Sequence, residues 1–173
     1  MDLSKGYWLD QPSLVVPWDI TWSDLQKLLA GWNSARFHEG DRQGRQRLAC
    51  LRCASLGHLW HDMQIRFSDD HLWLFELRFL EGSMDARGII DFDRSFPPFQ
   101  RHLEATFGPP ALLRAGSPQS QSPEVRFPEY EWRVDDVHIR HAIREHWGPV
   151  EDLTIQRHTL RSNTCANRSE TRL

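Results

Sequence analysis

Between residues 59 and 79 the large apolar side chains fall on every second position. Leu59, His61, Met63, Ile65 and Phe67 alternate with Trp60, Asp62, Gln64 and Arg66; after a turn at "SDDH", Trp73, Phe75, Leu77 and Phe79 alternate with Leu72, Leu74, Glu76 and Arg78. A period of two places one set of side chains on one face of an extended chain and the other set on the opposite face. Such a segment is stable only as a half-buried hairpin. With the preceding stretch it predicts three antiparallel strands over residues 48–55, 59–67 and 71–80, with Trp73 facing the core and Trp60 facing away from it.

The same pattern returns near the C-terminus. "PEYEWRVDDVHIRHAIREHWGPVEDLTIQRH" predicts strands over residues 130–134, 137–145 and 152–157, with turns at "VDD" and "WGPV" and with Trp132, Val134, Val137, Ile139, Leu153 and Ile155 inward. Each meander follows a helix. In "TWSDLQKLLAGW", Thr21 or Ser23 caps, Asp24 lies in the first turn, and Leu25, Leu28 and Leu29 share a face before Gly31. In "RSFPPFQRHLEATFGPP", Phe99, Leu103 and Phe107 are four residues apart, Pro97 and Pro98 fit the first turn, and Gly108 ends the helix. The expected fold is α+β: one antiparallel sheet from two three-stranded meanders, with two helices packed on one face, in the order helix-βββ-helix-βββ. The other face is left for a partner.

Around these elements the chain reads as irregular. Residues before Thr21, the polar "NSARFHEGDRQGRQ" and the Ser/Pro/Gln-rich "RAGSPQSQSPEV" are expected to be loops or a connector too polar to pack. Residues 1–158 are expected to form a single domain, and residues 159–173 a polar, disordered tail.

Composition narrows the function classes. The 173 residues carry a formal net charge of −3, with 19 Arg to 2 Lys, so no domain-wide basic field points to nucleic acid. No apolar run has the length of a signal peptide or a membrane span, and three cysteines in such a chain fit a reduced, cytoplasmic setting. Charge is nevertheless uneven. Residues 36–66 hold six Arg against Glu39, Asp41 and Asp62, whereas residues 129–152 hold seven acids against Arg133, Arg140 and Arg144.

The spacing in "CLRCASLGHLWH" supplies Cys50, Cys53, His58 and His61, the residue types that zinc takes. In a regular strand, however, positions i and i+3 point to opposite faces, so neither pair converges on one ion. We therefore expect no metal site, with half-buried thiols and a hairpin turn at "SLGH". The "DFD" of Asp91 and Asp93 is read as a helix cap rather than a cation site. His138, His141 and His146 lie among Asp135, Asp136 and Glu145, but no nucleophile, phosphate loop or HExxH run accompanies them, and no cofactor is expected.

The segments "VPWDITWSDLQKLL", "FQRHLEATFGPP" and "YEWRVDDVHIRHAIREHWGPVEDLTIQR" resemble, over roughly residues 15–157, small cytoplasmic bacterial proteins, many of them immunity partners of polymorphic or contact-dependent toxins. The resemblance implies a non-catalytic binder that occludes a toxin's active surface, and it transfers no binding residues. From the residues themselves, the expected partner-binding set is Asp135, Asp136, Glu145, Glu151 and Asp152, which would meet a basic patch, together with the exposed Trp60. The alternative is a small-ligand-binding protein or hydrolase-type enzyme, with a site between sheet and helices that uses His138 or His141.

Overall fold

The computed structural model describes residues 2–40, 46–57, 59–68, 70–78, 91–145 and 149–158. Their centre is an eight-stranded antiparallel sheet in the order β3-β4-β5-β6-β10-β9-β8-β7. Its strands are β3 (Arg36–Glu39), β4 (Gln46–Ser55), β5 (Leu59–Ser68), β6 (His71–Arg78), β7 (Ala111–Arg114), β8 (Glu129–Val134), β9 (Val137–Glu145) and β10 (Pro149–Arg157). Both expected meanders are present, and they join where β6 pairs with β10, placing Leu77 opposite Leu153 and Phe75 opposite Ile155. A second, two-stranded sheet comprises β1 (Gly6–Leu9) and β2 (Leu14–Pro17); the helices are α1 (Trp22–Leu28), α2 (Phe92–Phe107) and the single-turn α3 (Pro123–Arg126). The element order is therefore richer than helix-βββ-helix-βββ, with β1–β2, β3, β7 and α3 added.

The sheet has an inner and an outer face. Ala49, Leu51, Met63, Ile65, Phe75, Leu77, Ile139, Leu153 and Ile155 line the inner face and are buried. Over β3–β6 that face is covered by the N-terminal hairpin and α1: Tyr7 and Trp18 pack on Phe75 at 5.1 and 5.4 Å, and Trp22 lies edge-on to Phe37 and Phe67. Over β8–β10 it is covered by α2 through Phe96 and Phe99. No helix among the described residues lies on the outer face.

Several expectations are corrected in ways that have physical causes. Trp73 is 51% exposed rather than core. The β5–β6 register shifts where Phe67 opposes Leu72 while Arg66 opposes Leu74, so Trp73 is the extra residue of a bulge and leaves the inward set. Helix α2 begins at Phe92 rather than at the prolines, because the Asp91 carboxylate caps it by accepting from the Asp93 N–H. Pro97 and Pro98 sit in its second turn on the solvent side, where the carbonyls they leave unbonded stay hydrated. The Ser/Pro/Gln connector is folded back on itself: Ser117 N–H donates to the Val125 carbonyl at 2.9 Å and Arg114 to that of Glu124 at 2.5 Å, and a Cβ at Gly116 would meet the Arg126 carbonyl at 2.4 Å. Phe79, residues 146–148 and the 159–173 tail lie outside the described residues.

Candidate functional site

Two polar clusters lie beneath the inner face and a third covers the outer face. On β9, His141 is fully buried, stacked on Phe96 at 4.2 Å and edge-on to Phe99. Its Nε2 is 3.0 Å from Glu151 Oε1 on β10 and its Nδ1 is 2.8 Å from Gln100 Oε1 on α2; Ser95 Oγ donates to Glu151 Oε2 at 2.6 Å. The Gln100 amide nitrogen is engaged by Glu104, so its oxygen faces the imidazole; both ring nitrogens therefore meet oxygen acceptors, and a neutral imidazole donates to one of them. Burial lowers the His141 pKa against the opposing pull of Glu151. These are the residue types of a hydrolase triad in the wrong order. The carboxylate bridges serine and histidine, so the imidazole has no hydroxyl to activate.

The second buried cluster answers the question raised by "CLRCASLGHLWH". Cys50 lies on the outer face and Cys53 on the inner, as strand alternation requires, and Cys53 sits directly opposite His61. His61 Nδ1 donates to the Leu59 carbonyl at 2.9 Å, and its Nε2 meets Ser55 Oγ at 3.2 Å and Cys53 Sγ at 3.5 Å; Ser55 in turn contacts the Tyr7 hydroxyl at 2.6 Å. Burial pushes His61 down to about 4 and the Cys53 thiol up to about 12, so both are neutral near pH 7. Tyr7, Cys53 and Ser55 are all closed to solvent, so the cluster offers a substrate no approach. His58 lies outside the described residues; among those described, no group of three His, Cys, Asp or Glu could hold a metal.

The outer face is a lattice of arginines and carboxylates. Glu76 accepts from Arg66 at 2.7 Å and Arg78 at 2.6 Å; Glu129 pairs with Arg114, Arg140 and Arg144; Glu131 pairs with Arg133; Arg144 approaches Asp152 at 3.4 Å; and Arg52 approaches Asp62 at 3.6 Å. Burial alone would raise Glu76, yet Arg78 and Arg66 hold its carboxyl below the usual range. Asp152 goes the other way: burial, with Glu76 nearby, lifts it to about 7 although Arg144 and Arg78 oppose the rise. Arg144 Nε is within ion-pair reach of Asp152 Oδ1 but too poorly placed to hydrogen-bond it, and that oxygen has no hydrogen-bond donor among the described residues.

The expected partner-binding residues do not form one surface. Asp135 is exposed and Asp136 half-buried in the β8–β9 turn, with Asp136 paired to Arg157 at 2.5 Å. Glu145 is exposed at the other end of β9, about 27 Å away at ~3.4 Å per residue. Glu151 and Asp152 are corrected outright, being 1% and 2% exposed on opposite faces of the sheet. The acidic run in the sequence is thus dispersed in space, and Glu129, Asp136 and Asp152 pair with arginines of other strands. Trp60 is 41% exposed on the outer face. His138, also on that face, lies 3.7 Å from Glu131 and 4.5 Å from the His158 ring. The sequence shows an arginine excess over residues 36–66, but which of these arginines converge depends on cross-strand register rather than on any linear motif. No family model, curated protein or solved structure matches the chain.

Proposed function

We propose that the protein is a non-catalytic binding module of the cytoplasm, an immunity-type inhibitor that masks the active surface of a bacterial toxin. It would use the outer face of its sheet. The observation that carries this reading is the outer face, which no described element covers. The sheet's 60 strand residues, at ~3.4 Å along and ~4.8 Å across each, span on the order of 1,000 Å², against the ~800 Å² per partner of a stable complex.

Two further features support it. Both histidine clusters that could suggest catalysis are sealed beneath the inner face. The outer face presents the exposed Trp60 and Trp73 beside arginines, the residue types that dominate binding energy at protein interfaces. The resemblance to immunity proteins supplies the class of partner. No helix among the described residues is long and apolar enough to cross a membrane.

The test is co-expression with the product of the adjacent reading frame in a bacterial host. The expected result is a neighbour that arrests growth alone, growth restored by this protein, and a stable complex on size exclusion. A harmless neighbour, or a toxic one that this protein neither binds nor neutralises, overturns the reading.

A further inference from the structure

On the outer face, cross-strand register gathers cations that are distant in sequence. Arg52, Asp62 and Arg78 lie directly opposite one another across β4, β5 and β6, and Arg36, Cys50 and Gln64 form the neighbouring row across β3, β4 and β5. Together with Ser34 they line a depression of about 350 Å³. Asp62 is the only acid in this lining against three arginines. The Arg36 guanidinium is held by the Asn33 and Ala35 carbonyls, each at 2.8 Å, and makes no ion pair among the described residues.

A second depression of about 360 Å³ adjoins the first and shares Ser34 and Arg52 with it. Its walls are Trp32 and Trp60. Trp32 is fixed, since its indole N–H donates to the Arg52 carbonyl at 2.8 Å, and Ser34 both donates to that carbonyl and accepts from the Arg52 N–H. The surface therefore offers a cationic seat and an aromatic seat side by side.

We infer that these two seats receive an acidic, aromatic-bearing segment of the partner protein, with carboxylates on Arg36 and Arg52 and an aromatic side chain against Trp60. The inference rests on the inhibitor reading and names the chemistry of its partner. A planar guanidinium accepts a carboxylate through two parallel hydrogen bonds, and an exposed indole supplies apolar area at low entropic cost. A nucleic acid strand could also stack on Trp60, but its continuous phosphates would have to run past Asp62, and the chain as a whole is negative. Discrete carboxylates on a peptide can be spaced to avoid that acid.

The experiment uses a fluorescent peptide of alternating Glu and Trp, read by anisotropy at low salt against the full-length protein. Saturable binding is expected, weakened by added salt and reduced about tenfold or more by Arg36→Glu with Arg52→Glu and, separately, by Trp60→Ala, with thermal unfolding unchanged. Absent binding, equal binding of a Lys/Trp peptide, indifference to these substitutions, or tighter binding of a short single-stranded oligonucleotide overturns the inference. The same variants are then tested on the neighbour-encoded toxin. A complex that Arg36→Glu with Arg52→Glu leaves unchanged removes this site and spares the inhibitor reading. A toxin left unbound, while the peptide binds through these residues, does the reverse.

Discussion

Glu151 and Asp152 are neighbours in sequence and are both buried, yet the sheet disposes of their charge in opposite ways. On the inner face, Glu151 accepts from the Ser95 hydroxyl and meets a ring nitrogen of His141 at 3.0 Å beneath the rings of α2. On the outer face, Asp152 lies among arginines, with one oxygen lacking a donor among the described residues. Burying a polar group is tolerable when every lone pair and proton has a partner, and a charge when a counter-charge stands in for water. The inner face uses the first device and the outer face mainly the second. The inner face is thereby committed to the fold, while the outer face keeps charge at the surface, where the proposed binding would draw on it.

The sharpest way to break this contrast is to remove the inner carboxylate. Glu151→Ala strips a partner from both His141 and Ser95, and is expected to lower unfolding free energy by about 3–5 kcal/mol in urea titrations, from ~1–3 kcal/mol for each buried group left unpaired. The same truncation of an exposed outer-face acid should cost far less. If the two losses are alike, the distinction between the faces fails.

Asp152 gives the next largest effect, visible in its pH dependence. Its pKa rises from 3.8 to about 7 on folding, so between those values the native state holds a proton that the unfolded chain releases. Stability from this group is therefore greatest below about pH 4 and falls as pH rises to 7, by about 4 kcal/mol in all. Asp152→Asn, neutral at every pH, should remove that slope and be more stable than the parent above pH 7. His61 on the inner face has the opposite sign and a somewhat smaller size. Its pKa falls from 6.5 to about 4, so the unfolded chain binds the extra proton and stability is lost as pH drops through that window, by about 3 kcal/mol. The two slopes oppose each other in the parent protein, where His141, also lowered by burial, adds to the His61 side. Relative to the parent, urea midpoints should rise more steeply with pH in Asp152→Asn and less steeply in His61→Gln; a parent-like profile in either would refute the corresponding assignment.

The contrast between faces was only half legible in the sequence. Alternation revealed both meanders and placed Ile65, Phe75, Ile139 and Leu153 inward, because period two is a property of the strand itself. It misplaced Trp73, since a one-residue bulge inverts the parity beyond it and no turn residue announces the bulge. β3 was read as loop because Phe37 is its single large apolar side chain, and β1–β2 because each strand has four residues among prolines. The site suffered most. Counting charge along residues 129–152 suggests an acidic surface, but consecutive strand residues go to opposite faces, and arginines of other strands reach Glu129, Asp136 and Asp152. A linear charge count therefore says little about a sheet.

The smallest expected effect tests whether the outer face is graded from structural at its centre to available at its edge. Glu76 is buried and accepts charge-assisted bonds from Arg66 and Arg78 at 2.7 and 2.6 Å. Hydrogen bonds of that kind contribute about 1.5–3 kcal/mol each when buried, and part of that survives where the arginines are partly solvated. Arg52 and Asp62, nearer the edge, are 40% and 45% exposed and 3.6 Å apart, so water and salt screen most of their attraction. A double-mutant cycle to alanine should thus give a coupling below about 0.5 kcal/mol for Arg52 with Asp62, and a clearly larger one for Arg78 with Glu76. Equal couplings would mean that Arg52 is as bound into the fold as Arg78. A low coupling leaves its guanidinium able to exchange Asp62 for a partner's carboxylate at little cost in stability, which a binding residue on an open sheet face requires.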